Sequence, residues 1–317
     1  MSSPQPDEAQ RATARLAFVG GEALTPLLGD AGMRRYFRCK SGMLMDCPPA
    51  LGGIGDFVHY SQIFAALPVP RLYKIDEAAG LLLLEDFGDR WLYEELRGEQ
   101  PEAAMAEALR LLGHWQTTTA ALWRDWFSPY DRDALAEETA LWRQWFLPYV
   151  GLALDAADRA GVLAEEEALH EIMAAHQTVC VHRDYHCRNL MRCPDGRIGI
   201  LDYQDTLWGA PSYDLISITR DCYRRYAPEQ VQRWEAEFGA RYYPQLSPDA
   251  WARLCESSAL QRHLKVLGIF VRLWQRDGKR RYLDDLPLVL SYAREEAERL
   301  ALPHISRLLA AAELPRA

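Results

Sequence analysis

Asp184, Asn189 and Asp202 set a carboxylate, a carboxamide and a second carboxylate along one short stretch of chain. Transfer of a γ-phosphoryl group from ATP asks for that combination. A carboxylate must stand beside the attacking hydroxyl, and hard oxygen ligands must hold Mg²⁺ on the polyphosphate. Asp184 would accept or orient the hydroxyl proton. Asn189, five residues on, would bind one metal ion, and Asp202 would bind or bridge both. ATP and Mg²⁺ are the cofactors this chemistry expects.

The flanking segments must bring these groups together. Thr178 to Val181 predicts a short buried strand leading into the loop at His182, and Asn189 to Arg192 a strand leaving it. Pro194-Asp195-Gly196 is a turn. Arg197 to Leu201 then returns antiparallel and delivers Asp202 close to Asn189. The run His182-Arg183-Asp184 with Asn189 matches the H-R-D-x-x-x-x-N spacing of a kinase catalytic loop, and Asp202-Tyr203-Gln204 stands where D-F-G would. A rival use of the same stretch takes His182 and His186 as a zinc pair. It lacks the helix and the following Glu that would align two imidazoles.

With 317 residues, 49% of them hydrophobic, the chain can bury a full core and suits two modest domains or one two-lobed one. A formal net charge of -9 argues against a general nucleic-acid binder. The seven cysteines include no C-x-x-C pair and resemble the thiol usage of a reducing compartment. Cys187, inside the loop, is expected to pack rather than react. The N-terminal stretch from Met1 to Arg15 lacks the basic start and apolar run of a secretory signal, so a cytoplasmic protein is expected. Apolar runs such as Leu81 to Leu84 are too short to span a bilayer, and no membrane association is expected. No feature of the sequence selects an oligomeric state.

Residues 8 to 28 have a helical pattern up to the Gly20-Gly21 break. From Met33 the pattern changes to strand-like pieces, Arg35 to Cys39 and Met43 to Asp46, about a Ser41-Gly42 turn. Phe57 to Leu67 has helical periodicity that Pro68-Val69-Pro70 stops. Leu72 to Ile75 and Leu81 to Glu85 form another hairpin. Beyond Asp86-Phe87-Gly88-Asp89 the chain is mostly helical, including Pro101 to Trp123, Ala134 to Leu147 and Ala164 to His176. Trp115, Trp123, Trp126, Trp142 and Trp145 fall at helical spacing and are expected mostly in the core. The expected fold is α+β and two-lobed, with a small, mainly β N-lobe over residues 1–88 and a larger, mainly α C-lobe over residues 89–317. The backbone around Leu84, Glu85, Asp86 and Phe87 is the expected seat of the adenine.

His182 to Leu190, Leu201 to Asp205 and Leu81 to Asp89 together resemble the aminoglycoside phosphotransferase and choline kinase superfamily. The resemblance implies a protein-kinase-like fold, with Asp184 as catalytic base and Asn189 and Asp202 as Mg²⁺ ligands. It also implies that Asp214 is a buried acid bonded to the backbone of the catalytic loop. Three further stretches, Gly29 to Arg38, Leu44 to Pro49, and Gln261 to Phe270 with Arg276 to Lys279, are similar to one branch of that superfamily. That branch phosphorylates N-acetylmuramate and N-acetylglucosamine at the 1-hydroxyl during peptidoglycan recycling. The resemblance runs from residue 29 to residue 287 and implies an amino-sugar acceptor and a sugar 1-phosphate product.

Departures from a protein kinase are also informative. Such an enzyme carries a lysine on its third strand and a Glu on the following helix. Met43 to Asp46 has no lysine and Phe57 to Leu67 no Glu, so a base from elsewhere must meet the triphosphate, and Arg34 or Arg35 is expected there. Gly29-Asp30-Ala31-Gly32 can offer N–H groups to phosphate without the G-x-G-x-x-G form. Gly52-Gly53-Ile54-Gly55 is expected to be a linker.

An aminoglycoside kinase would need carboxylates around a polycation. The chain beyond the catalytic stretch is instead rich in Arg and Lys, which suits a lactyl carboxylate. Arg262, His263 or Lys265 is expected to approach the acceptor, with His186 and Asp205 shaping its site. Two other uses remain open at this level. One is a kinase of the same fold for an aminoglycoside or other alcohol. The other is a silent nucleotide-binding module that regulates a partner, against which the intact Asp184, Asn189 and Asp202 speak.

Overall fold

Apolar strands and capped helices appear in the structure largely where the pattern predicts them. The structure is a computed structural model that describes residues 8–27, 34–98, 101–122 and 124–315. The glycine segment from Gly29 to Gly32 and Trp123 therefore lie outside the described residues. The N-terminal part runs α1 (Glu8–Phe18), β1 (Thr25–Pro26), β2 (Arg35–Cys39), β3 (Gly42–Asp46), α2 (Gly55–Ile63), β4 (Leu72–Asp76) and β5 (Leu81–Leu84). Its strands form one antiparallel sheet in the order β1-β2-β3-β5-β4.

All four leucines of β5 are buried. Two of them, Leu81 and Leu83, pack with Leu44, Phe37 and the Phe18 end of α1. Asp46, at the end of β3, is buried and takes the guanidinium groups of Arg11 and Arg15, which fastens α1 to the sheet. Gly42 is needed where β3 meets β5, because a Cβ there would stand 2.5 Å from the Leu84 carbonyl oxygen.

The helical part begins with α3 (Leu92–Arg97), α4 (Glu102–Ala120), α5 (Arg132–Leu141), the short α6 (Leu147–Tyr149) and α7 (Ala156–Ala174). Four short strands follow, β6 (Val179–Val181), β7 (Leu190–Arg192), β8 (Ile198–Ile200) and β9 (Leu207–Gly209). The remainder is α8 (Ser212–Thr219), α9 (Pro228–Tyr242), α10 (Pro248–Asp277), α11 (Leu286–Arg299) and α12 (Pro303–Ala311). No helix of the described residues is long and apolar enough to cross a membrane.

By its contacts the chain falls into two compact units, Met1–Glu95 with Arg188–Gln204, and Leu96–Cys187 with Asp205–Ala317. The β7–β8 hairpin thus groups with the N-terminal sheet, whereas a break at residue 88 would leave it in the other part. Its contacts give the physical reason. Phe87 packs with Met191, Cys193 and Leu201, and Arg197 pairs with Glu85. Arg192 pairs with Glu95, and the Ile200 N–H donates to the Pro68 carbonyl at 2.9 Å.

The second unit is built on α10, thirty residues long, which Ser247 caps at its N-terminus and Gly278 ends in the left-handed conformation. Seventeen of its residues from Trp251 to Val271 are buried, so all of its faces meet neighbours. Gly268 is the point of closest approach, where a Cβ would stand 2.2 Å from the Leu141 carbonyl carbon. At that point the helix expected from Ala134 to Leu147 changes to a π-helical turn, Trp142–Phe146. Trp115 and Trp142 are fully buried, as their spacing predicts, while Trp126 is 50% exposed.

Candidate active site

In the first unit, β7 and β8 pair in the register Leu190↔Ile200, and the Leu201 N–H donates to the Asn189 carbonyl at 2.9 Å. The hairpin predicted from sequence therefore carries Asn189 and Asp202 at its open end on neighbouring strands. Asp202 adopts φ +61, a left-handed conformation that costs a non-glycine residue energy and is maintained only where the surroundings fix it. The next residue supplies that anchor. Tyr203 is fully buried, its ring packs against Phe57 and Phe64 of the α2 region, and its hydroxyl lies 2.6 Å from the Ser61 hydroxyl. Helix α2 thus holds the Asp202 segment by Ser61 and two rings without the Glu that a protein kinase would have there.

Two oxygen donors of this kind suit Mg²⁺, which keeps several waters and completes its shell with phosphate oxygens. Gln204 donates from Nε2 to Asp202 Oδ1 at 2.8 Å. Its own Oε1 is buried and has no hydrogen-bond partner among the described residues, an acceptor that a metal-bound water would satisfy. The zinc alternative finds no such support. Among the described residues no group of three or more His, Cys, Asp or Glu could hold a metal ion.

Arg34 and Arg35 point to different surroundings. The Arg34 guanidinium lies 5.6 Å from the centre of the Phe57 ring. Burial raises the Tyr36 hydroxyl pKa, while Arg34 pulls it down and Asp202 pushes it up, so the three groups share one neighbourhood. Arg35 is turned onto Glu8 in an exposed ion pair. The side chains of the expected adenine segment are also committed. Glu85 is held by Arg71 and Arg197, Asp86 by Arg38, and the Phe87 ring is buried against the hairpin. Leu84 is buried in β5, and the Glu85 N–H already donates to the Arg71 carbonyl at 2.8 Å. These side chains hold the fold together, and the expectation for this segment concerns its backbone alone.

In the second unit, β6 pairs with β9 and leads into the loop at His182. Two buried carboxylates clamp this loop. Asp214, in the first turn of α8, accepts the His182 N–H at 2.7 Å and the Arg183 N–H at 2.9 Å. Asp221 accepts the Cys187 N–H at 3.1 Å and the Tyr223 N–H at 3.0 Å. The resemblance anticipated Asp214. Asp221 has no comparable sequence signal, since it is one acid at the end of an apolar helix. Burial pushes the Asp214 carboxyl up to about 6 against the pull of His182 and the two backbone donors.

Arg183 has φ +74, so the loop carries a strained residue immediately before Asp184. The Asp184 side chain is 48% exposed, with an Arg262 guanidinium nitrogen 3.9 Å away and itself 3% exposed. Partial burial would raise the Asp184 carboxyl, yet Lys265 and Arg262 hold it down at about 2. Arg262 also donates to the Arg183 carbonyl at 2.8 Å. His186 sets its ring edge-on to Tyr223 at 5.6 Å, and burial lowers its pKa while Asp221 and Asp184 oppose the shift. Asp205 is exposed and its carbonyl accepts from Arg183 at 3.1 Å.

His263 must be removed from the expected acceptor residues. It has no exposed surface, its two ring nitrogens face Glu296 and the Arg220 carbonyl at 2.7 and 3.1 Å, and Tyr292 stacks on it. On α10, Arg262 lies beside Asp184, and Lys265, bonded to Glu138 at 2.9 Å, acts on it by charge, while His263 turns inward. Much of the basic character beyond the loop is likewise structural. Arg220 is buried among Glu235, Glu256 and Glu296, and Arg225 pairs with Glu295.

Known proteins resemble this chain over most of its length. Residues 23–255 match the family model described as the phosphotransferase enzyme family. The chain is 33% identical over 290 residues to an N-acetylmuramate/N-acetylglucosamine kinase of Neisseria meningitidis, covering 88% of this chain and 86% of the relative. It is 31% identical over 290 residues to a protein of the same name from Pseudomonas putida, covering 87% and 84%. Among solved structures, choline kinase LicA from Streptococcus pneumoniae superposes with a TM-score of 0.63 at 12% identity, covering 91% of this chain and 100% of that one. The last likeness shows the kinase-like α+β fold.

Proposed function

From the chain's membership of the phosphotransferase enzyme family, we propose that it phosphorylates an amino sugar, taking the phosphoryl group from ATP with Mg²⁺. The acceptor is the anomeric 1-hydroxyl of N-acetylmuramate, N-acetylglucosamine or both, and the product is the sugar 1-phosphate of peptidoglycan recycling. ATP as donor sets the reaction in the cytoplasm. The observation that carries this reading is the Asp184 carboxylate, half exposed and kept ionised by two cations behind it.

A carboxylate held near 2 is a weak base, and phosphoryl transfer does not require a strong one. Its transition state is loose, with little bonding to the attacking oxygen, so the hydroxyl keeps its proton until late. Asp184 then accepts the hydroxyl hydrogen bond, aims the oxygen at phosphorus and takes the proton as the new bond forms. An anomeric hydroxyl is more acidic than an ordinary alcohol and suits such a partner. Asn189 and Asp202 would hold Mg²⁺, which when bound neutralises charge on the transferring phosphates. Arg34 would meet the triphosphate, and the backbone from Leu84 to Phe87 would meet the adenine.

Charge favours an acidic acceptor over a cationic one. Arg262 and Lys265, both buried on α10, offer partners for the lactyl carboxylate of N-acetylmuramate. The same pair would repel an aminoglycoside. A coupled assay of ADP release with Mg-ATP tests this, comparing N-acetylmuramate, N-acetylglucosamine and kanamycin. Turnover on the two sugars is expected, and turnover on kanamycin alone would overturn the reading.

A further inference from the structure

Arg272 lies on α10 beyond the residues assigned to the reaction, and among the described residues its guanidinium makes no hydrogen bond and no ion pair. Its Nε is buried, while the residue as a whole is partly exposed. Asp277, a carboxylate on which it acts by charge, is held instead by Arg276 through two hydrogen bonds, at 2.7 and 3.0 Å. Burying part of a charge without a partner costs stability, and an anionic ligand would offset that cost. With its stem packed, the side chain is already ordered for such a ligand.

The place of Arg272 on the helix ties it to the acceptor end of the site. Arg262, Lys265, Ile269 and Arg272 follow one another at spacings of three and four, so they share one side of α10. Arg262 and Lys265 are 3% and 6% exposed, whereas Ile269 and Arg272 are partly exposed, so this side opens to solvent as it runs away from the loop. Lys265 is bonded to Glu138 and Tyr213, and Arg262 to the Arg183 carbonyl. Arg272 follows Lys265 by seven residues, two turns or about 10 Å along the axis. Long helical side chains incline toward the N-terminus, which on α10 is the direction of Lys265 and the loop.

We propose that Arg272 seats the lactyl carboxylate of N-acetylmuramate and so sets the preference for that sugar over N-acetylglucosamine. The inference rests on the function proposed above and names the residue that discriminates between its two acceptors. The lactyl group leaves the ring two carbons from the anomeric carbon, so its carboxylate stands well away from the reacting oxygen. With the 1-hydroxyl at Asp184, that carboxylate runs along the basic side of α10, where the fork of Arg272 takes both of its oxygens. Arg262 and Lys265 add attraction by charge. N-acetylglucosamine has only a hydroxyl at that position and makes no such pair.

The test measures binding apart from turnover. Calorimetry in the presence of Mg²⁺ and a non-hydrolysable ATP analogue compares N-acetylmuramate with its methyl ester, which keeps the sugar and removes the charge. Arg272→Ala is expected to weaken binding of the acid by about tenfold or more and that of the ester by less than about threefold. Arg272→Lys, which keeps the charge and loses the fork, should fall between parent and Arg272→Ala. Arg276→Ala, at an exposed residue paired with Asp277, should change binding of the acid by less than about twofold. Equal losses for acid and ester would mark a residue that only supports the fold. That result, no loss for either, or a parent that binds neither would overturn the proposal.

Turnover separates this inference from the reading beneath it. In steady-state assays with Mg-ATP, the ratio of kcat/KM for N-acetylmuramate to that for N-acetylglucosamine should fall about tenfold in Arg272→Ala. An unchanged ratio would contradict the assignment of Arg272. A parent that binds the acid through Arg272 yet phosphorylates neither sugar would instead refute the proposed function and leave the carboxylate site standing.

Discussion

Asp214 is the residue whose ionisation state the loop depends on. Both of its oxygens accept backbone N–H groups, which only the carboxylate can do without turning one oxygen into a donor. Burial raises its pKa from 3.8 to about 6, so the folded protein binds this proton more tightly than the unfolded chain. Its contribution to stability is therefore present below pH 3.8 and is lost as the pH rises through about 6. Activity moves the other way, since protonation releases one of the two loop contacts. We expect kcat to fall on the acid side of about pH 6, in a range where this group does not destabilise the fold. In Asp214→Asn that acid limb should disappear from the kcat profile. The thermal midpoint of the parent relative to the variant should rise as the pH is lowered from about 7 to about 5. A parent profile flat through this range would contradict the assignment.

Strand β2 shows how an element distributes roles between neighbours. Adjacent residues at its start project to opposite sides, so Arg35 meets Glu8 while Arg34 lies over Phe57 in the neighbourhood of Asp202. The sequence leaves the two arginines equivalent, because their separation depends on which side of the strand α1 covers. Arg34→Ala is expected to raise KM for ATP about tenfold or more, as loss of a charged phosphate contact would. Arg35→Ala should leave it within about twofold, since an exposed ion pair contributes little. Equal effects of the two substitutions in steady-state kinetics would contradict this division.

Other elements show the same limit. The β7–β8 hairpin is legible in sequence because two short apolar strands about Pro194-Asp195-Gly196 leave few alternatives. Helix α10 is different. Apolar and polar residues alike are buried around its whole circumference, so spacing alone does not tell that His263 turns to Glu296 while Arg262 turns to Asp184 and Lys265 to Glu138. The π-helical turn after Leu141 begins where Gly268 of another helix makes its close approach, a partner that local sequence does not reveal.

At the scale of the molecule, the chain carries a formal charge of -9 yet collects cations at the one carboxylate where an acceptor hydroxyl would bind. Composition showed the first fact and excluded little. The second depends on residues far apart in sequence, Glu138, Arg183, Arg262 and Lys265, drawn from α5, the loop and α10. Membership of the phosphotransferase enzyme family was legible from the spacing of Asp184, Asn189 and Asp202 with the flanking motifs. The grouping of Asn189 and Asp202 with the N-terminal sheet was not, because it follows from side-chain pairs such as Arg192 with Glu95.

The most direct test is phosphorus NMR of the product formed from Mg-ATP and N-acetylglucosamine, with the Asp184→Asn variant run alongside. A phosphate coupled to the single anomeric proton, formed by the parent and lower by at least about a hundredfold with the variant, is the result predicted. A phosphate coupled to the two protons of the 6-position, or undiminished product from Asp184→Asn, would contradict the account.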